Sequence, residues 1–323
     1  MKALVQTAPE ALDYRDVPDP DVPEGAHLVR IEGSGICGSD MHAFLGHDPR
    51  RPTPLILGHE AAGTIRGGPR DGERVTVNPL VACGVCPACR EGRENLCSDR
   101  QIISMPPREG AFAELVALPG RNLVATDLAP RKAALAEPVA CGWHAVRLAI
   151  AAAQDRADTA LVIGGGAIGV GAALSLAAQG VGAVTLSEPN ALRRDYLARL
   201  GGFDVAAGAP VGRLFDLVVD GVGIDATRAV ACAHARPGGA IAHIGLGGGA
   251  GGLDVRRLTL QEIAFLGTYT YTAADFRETV GAMADGRLGT LDWTEARPLA
   301  EGARAFADIR AGRVAAPKIV LQP

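Results

Sequence analysis

The stretch "ALVIGGGAIGVGAALSLAAQGVGAVTLSEPN", Ala160 to Asn190, decides the fold. It reads as strand, glycine turn, helix, strand: an apolar run stops at three glycines, a small-residue segment follows, and a second apolar run closes the unit. Gly164, Gly166 and Gly169 fit G-x-G-x-x-G. The first glycine permits the tight turn, the second lets backbone approach a pyrophosphate, and the third lets helix pack on strand. In a chain with 42 glycines the motif alone says little; its seat between strand and helix gives it weight. Ala167 and Ile168, between the second and third glycines, belong to the same candidate cofactor loop. Glu188 falls nineteen residues after Gly169, at the end of the next strand. A carboxylate there can accept both ribose hydroxyls of NAD and repels the 2'-phosphate of NADP; an ordinary loop acid is the alternative. Arg193, a further cofactor candidate, and Arg194 lie close enough to keep NADP open as the less favoured cofactor.

Outward from that unit, 323 residues exceed one ordinary domain and suit two packed cores. Hydrophobic residues at 48% and charged ones at 21% are globular values. A net charge of -4 argues against a nucleic-acid surface, which needs concentrated basic charge. Thr159 to Ser187 carries no charged residue, but its glycines gather into a turn between strand patterns, so no membrane span is expected. The opening "MKALVQTAPEALDYRDVP" lacks an apolar core of signal-peptide length. Four of seven cysteines crowd together and three are scattered, which is no extracellular disulfide framework; a cytoplasmic protein is expected.

The crowded four lie in "CGVCPACREGRENLC", spaced C-x2-C-x2-C-x7-C from Cys83 through Cys86 and Cys89 to Cys97. Short turns swing such sulfurs toward one tetrahedral zinc, and four thiolates leave no position open for substrate. This cluster is structural, so catalysis must be sought elsewhere. Upstream, "GICGSDMH" (Gly35 to His42) and "LGHE" (Leu57 to Glu60) bring Cys37, His59 and Glu60. They are a soft, a borderline and a hard zinc ligand on two loops, as an open catalytic site requires. "LAEPVACGWHA" adds Glu137.

Together these motifs make the chain resemble the zinc-containing medium-chain dehydrogenase/reductases, in their alcohol and polyol (sorbitol) dehydrogenase branch. The resemblance covers nearly the whole length: the "GICGSD" and "GHE" loops, the four-cysteine lobe, the "EP" segment and the glycine turn. It implies Cys37 and His59 as catalytic zinc ligands and Glu137 as the third, where the liver-type enzymes have cysteine. Glu60 is the neighbouring acid, which ligates directly or exchanges with water. A thiolate, a neutral imidazole and one carboxylate bring the zinc site to zero charge, so one of Glu60 and Glu137 is expected to ligate at a time. Cys141 could compete as a soft ligand, although an ordinary core residue is the simpler account.

The resemblance further implies a proton route from the alcohol through Ser39 to His42, with Asp40 orienting His59. It sets the backbone after Ile244 and around Thr268 to Thr270 against the nicotinamide. Lys318 in "PKIVL" resembles a basic residue near the pyrophosphate; read alone it is a tail lysine. Gly38 stands where the liver-type enzymes carry a basic residue, so that phosphate contact is missing.

The expected architecture is α/β. Residues 1–139, with a return segment 272–323, should form a discontinuous, partly open β-barrel (GroES-like) that bears the zinc. Residues 140–271 should form a Rossmann domain with a doubly wound parallel sheet. The expected activity is NAD-dependent oxidation of a secondary alcohol or polyol to a ketone, with two zinc ions per chain. The alternatives are an amino alcohol, a vicinal diol or a simple alcohol as substrate, or a non-catalytic relative of the fold. A homotetramer or homodimer is expected, with a small alcohol, and neither nucleic acid nor membrane, as partner.

Overall fold

Strand Thr159–Ile163 is nearly all buried, and strand Phe215–Asp220 is buried throughout. Continuous apolar strands of this kind have both faces covered, as in a parallel sheet. In the computed structural model, which describes residues 1–153 and 157–323, they lie side by side at the centre of a six-stranded sheet. Its order is Asp204–Ala206, Ala183–Ser187, Thr159–Ile163, Phe215–Asp220, Ala235–His243, Ala264–Gly267. Every pairing is parallel. In chain order this is 3-2-1-4-5-6, the doubly wound arrangement, and the order reverses between Thr159–Ile163 and Phe215–Asp220. Ligands of such sheets bind outside the carboxyl ends of the strands at that reversal, here after Ile163 and Asp220.

The first part of the chain builds a mostly antiparallel sheet centred on the long strand Ala26–Gly35, which pairs with Glu60–Arg66, Leu115–Pro119 and Lys318–Gln322. The last pairing sets Val320 opposite Gly35 and Leu321 opposite Ser34. Strand Lys318–Gln322 therefore belongs to the sheet of residue 30, on the far side of the parallel sheet in sequence.

Helix Ala136–Ala152 links the two parts. Its first eleven residues, Ala136 to Val146, are all buried, the polar Glu137 and His144 among them. It packs on helices Ala167–Ala178 and Ala273–Ala284. Gly142 allows this, because a side chain there would press on the backbone of Ala172. Helix Ala273–Ala284 starts with a reciprocal cap: Thr272 Oγ1 accepts from the Asp275 amide at 3.1 Å, and the Thr272 amide donates to Asp275 at 3.2 Å. Asp275 also takes His144 Nδ1 and Arg147 Nε, each at 2.7 Å, which ties the two helices together. Phe276, Val280 and Trp293 share one apolar core with the parallel sheet, so the return segment reaches the antiparallel sheet only at strand Thr294–Pro298.

Candidate active site

Two clusters of metal-ligand atoms occur among the described residues. Cys37, His59 and Glu60 bring one ligand atom each within 4.8 Å of one another, and Cys83, Cys86, Cys89 and Cys97 do the same. No disulfide forms among them.

The Cys37–His59–Glu60 trio is assembled by a helix start and a strand start. Cys37 precedes helix Gly38–Phe44, and Asp40 turns back to accept the Cys37 amide at 2.9 Å. The other Asp40 oxygen faces His59 Nδ1 at 3.4 Å and the Gly58 amide at 3.4 Å. Burial resists the charge of Asp40, yet His59, Arg51 and the Cys37 amide hold its carboxyl down at about 2. The aspartate thus sets its charge beside the imidazole, whose Nδ1 is buried without a hydrogen-bond partner. Burial likewise opposes a charge on His59, but Asp40 and Cys37 outweigh it and raise the ring's pKa well above the usual value.

Glu60 opens strand Glu60–Arg66 opposite Gly35. A side chain at Gly35 would meet Glu60 Oε2, so the glycine leaves that carboxylate its place. Lys318 meets Glu60 Oε1 at 2.5 Å and the Ile36 carbonyl at 2.8 Å, with both residues of the ion pair buried. Lys318 was expected beside the cofactor pyrophosphate. Its ammonium instead has its two hydrogen-bond acceptors at the trio, because strand pairing with Ala26–Gly35 carries it there.

Glu137 stands outside the trio's 4.8 Å circle. It lies in the first turn of its helix, with Oε1 accepting the Tyr271 hydroxyl at 2.9 Å. Burial pushes its carboxyl up to about 7; His59 opposes the push and Glu60 adds to it. Cys141, one turn on, is also buried, and burial with the charge of Glu137 keeps its thiol well above the ordinary range. Glu60 Oε2 is buried without a hydrogen-bond partner. An orphaned carboxylate oxygen beside a thiol and an imidazole is a donor set that a zinc ion satisfies, so these residues fit the metal. Ser39 is partly exposed and His42 exposed on the same helix, with the His42 ring 6.5 Å from that of His47.

In the lobe, Cys83 and Cys89 sulfurs lie 4.0 Å apart. Amides of Val85 and Cys86 pull the Cys83 thiol down to about 6, toward the thiolate that a metal needs.

The glycine turn fits a dinucleotide. Gly164 has φ of +98°, which only glycine adopts readily. A side chain at Gly169 would strike the Gly164 carbonyl, whereas one at Gly166 would meet open space. Gly166 precedes helix Ala167–Ala178, where Ala167 and Ile168 begin a helix end without a side-chain cap; such an end receives a phosphate. Glu188 is buried at the same crevice, its two oxygens accepting the Gly165 amide at 2.9 Å and the Asn190 amide at 2.8 Å. Arg194 is held by the carbonyls of Glu188 and Pro189, and Arg193 by that of Val314 at 3.2 Å. Ile244 and Thr268 follow neighbouring strand ends, with the Thr268 amide on the His243 carbonyl at 3.0 Å.

Sequence reasoning missed three residues of these surroundings. Asp220, fully buried at the reversal point, accepts the amides of Val222 at 3.0 Å and Gly223 at 2.9 Å. Arg51, also buried, donates to the Ser39 carbonyl at 2.6 Å. Tyr271 holds Glu137. Only Asp220 had a signal, an acid closing an apolar strand.

Known proteins resemble this chain over most of its length. Residues 23–128 match the alcohol dehydrogenase GroES-like domain, and residues 167–285 the zinc-binding dehydrogenase domain. The L-galactonate-5-dehydrogenase of Escherichia coli (strain K12) is 33% identical over 308 residues, 89% of this chain and 88% of its own. The sorbitol dehydrogenase of Bacillus subtilis (strain 168) is 34% identical over 62% of this chain and 59% of its own. Among solved structures, the acetophenone reductase of Geotrichum candidum NBRC 4597 in complex with NAD superimposes with a TM-score of 0.86. It is 25% identical, and the match covers 100% of this chain and 97% of that one. With a glycine turn on a 3-2-1-4-5-6 sheet, a closed thiol cluster and an open Cys-His-Glu trio, the chain belongs to the zinc-containing medium-chain alcohol dehydrogenases, in their polyol dehydrogenase branch.

Proposed function

We propose that this chain oxidises a secondary alcohol of a polyol or sugar acid to a ketone with NAD, using a catalytic zinc held by Cys37, His59 and one of Glu60 and Glu137. The observation that carries the reading is the Cys37–His59–Glu60 trio within 4.8 Å, with Glu60 Oε2 left without a partner. Zinc, when bound, lowers the pKa of the alcohol, and NAD accepts the hydride. The chain's own residues do the rest. Ser39 takes the alcohol's proton and passes it to His42, whose exposure gives it solvent to release to. Asp40 keeps the imidazole of His59 aimed at the metal, and Lys318 balances Glu60. Glu188 selects NAD over NADP once its oxygens exchange their amide partners for ribose hydroxyls.

In this reading residues 1–139 with 272–323 serve as the catalytic part and 140–271 as the cofactor part, with helix Ala273–Ala284 of the return segment packed into the cofactor part's core. The edge strand Ala264–Gly267, unpaired on one side, supports a homo-oligomer. Seven free cysteines support a reducing compartment such as the cytoplasm. No described helix is long and apolar enough to cross a membrane.

The test is a panel of polyols, aldonates, amino alcohols and simple alcohols with NAD and NADP, followed by the absorbance of reduced nicotinamide. Turnover should appear with NAD on a polyol or aldonate, vanish on chelation and return with zinc. A zinc-loaded protein that reduces NAD with none of them would refute the reading.

A further inference from the structure

The four-cysteine lobe touches the segment that holds Glu137. Seven residues separate Cys89 from Cys97, where the earlier gaps are two. The additional chain forms the turn Glu94–Leu96, which reaches the segment following strand Ala264–Gly267. Asn95, buried, donates Nδ2 to the Tyr269 carbonyl at 2.8 Å, and Glu94 accepts the Ala273 amide at 3.2 Å. Arg100, itself anchored on the Cys97 carbonyl at 2.8 Å, stands over the Tyr269 ring at 4.9 Å.

These three contacts grip the chain on both sides of Tyr271. Thr270 between them has φ of +48°, a conformation that a β-branched residue keeps only when its neighbours enforce it. Tyr271 is fully buried and donates its hydroxyl to Glu137 at 2.9 Å. Its rigid ring has few torsions with which to compensate, so a shift of the backbone at 269–273 moves the hydroxyl with it.

We infer that the lobe positions the catalytic metal site: Asn95 and Glu94 fix Tyr271, and Tyr271 fixes Glu137. Asn95 and Tyr271 are positioning residues, and the lobe has a task beyond holding its own zinc. The inference rests on the proposed place of Glu137 at the catalytic metal. Partners behind a ligand set its orientation, and losing one typically costs about ten- to a hundredfold in metal affinity.

The experiment follows zinc release from the zinc-loaded, full chain under excess EDTA, with the lobe zinc identified by its loss in Cys89→Ser. Tyr271→Phe and Asn95→Leu should each speed release of the catalytic zinc about tenfold while the lobe zinc stays in place. The double variant should be no faster than the faster single one, because both act along one path. Asn95→Asp, which keeps the shape but turns an oxygen toward the Tyr269 carbonyl, replaces Asn95→Leu should the latter fail to fold. Accelerations that multiply in the double variant would overturn the inference. So would a fast Tyr271→Phe beside an unchanged Asn95 variant, which leaves the proposed function standing. An unchanged Tyr271→Phe would overturn both the inference and the place of Glu137 at the metal.

Discussion

Glu137 and Glu188 are each buried acids whose neighbours are hydrogen-bond donors, and each can be tested singly. Glu137→Ala removes the carboxylate proposed for the catalytic metal but leaves the lobe intact. Metal analysis should therefore fall from about two zinc per chain to about one, with turnover down about a hundredfold or more. Retention of both metals with full activity would assign the third ligand to Glu60 or Cys141. Glu188→Ser should raise the Michaelis constant for NAD and narrow the preference over NADP, since a hydroxyl neither accepts twice nor repels phosphate; an unchanged ratio of the two cofactors' specificity constants would refute this. Cys37, His59 and Glu60 were legible in the sequence because each sits in a short run whose local folding aims it. Tyr271 and Lys318 were not: their partners lie 134 and 258 residues away, and only the tertiary fold sets those distances.

Helix Ala136–Ala152 and helix Ala273–Ala284 meet at Asp275, which serves as cap, ion-pair partner and crosslink. Its side chain is 2% exposed, and although burial raises its pKa, His144, Arg147 and Thr272 hold it well below the usual carboxylate range. A depressed pKa contributes stability that is present above about pH 4, the unfolded value, and is lost as pH falls toward the folded one. Asp275→Asn should cost about 2 kcal/mol near neutral pH. The gap in melting temperature between variant and parent should close as the pH drops below about 4; a gap that stays constant would show that Asp275 acts only by shape. The parallel strands were readable as apolar runs bounded by glycine. The central helix was harder, because all-round burial of its first eleven residues leaves no polar face there to mark its period.

Across the whole molecule, strand Lys318–Gln322 joins the sheet beside Ala26–Gly35 and delivers the ammonium that balances Glu60. Lys318→Met would leave that carboxylate buried and unpaired, at a cost of about 3–5 kcal/mol in metal-free protein. Zinc on Glu60 restores a counter-charge, so denaturant unfolding should show a clearly smaller loss with zinc than without. Equal losses would separate Glu60 from the metal. The two-part architecture was legible from the glycine turn and the ligand loops, and the resemblance already implied a return segment to the first part; the register of its last strand against Ala26–Gly35 is a matter of strand pairing. That pairing also sets an order of events during synthesis on the ribosome. Every strand of the parallel sheet leaves the ribosome before Lys318 does. The cofactor half can therefore fold while the chain is still growing, whereas Glu60 must wait for a partner made much later. Until then the nascent pocket lacks the ammonium that balances Glu60.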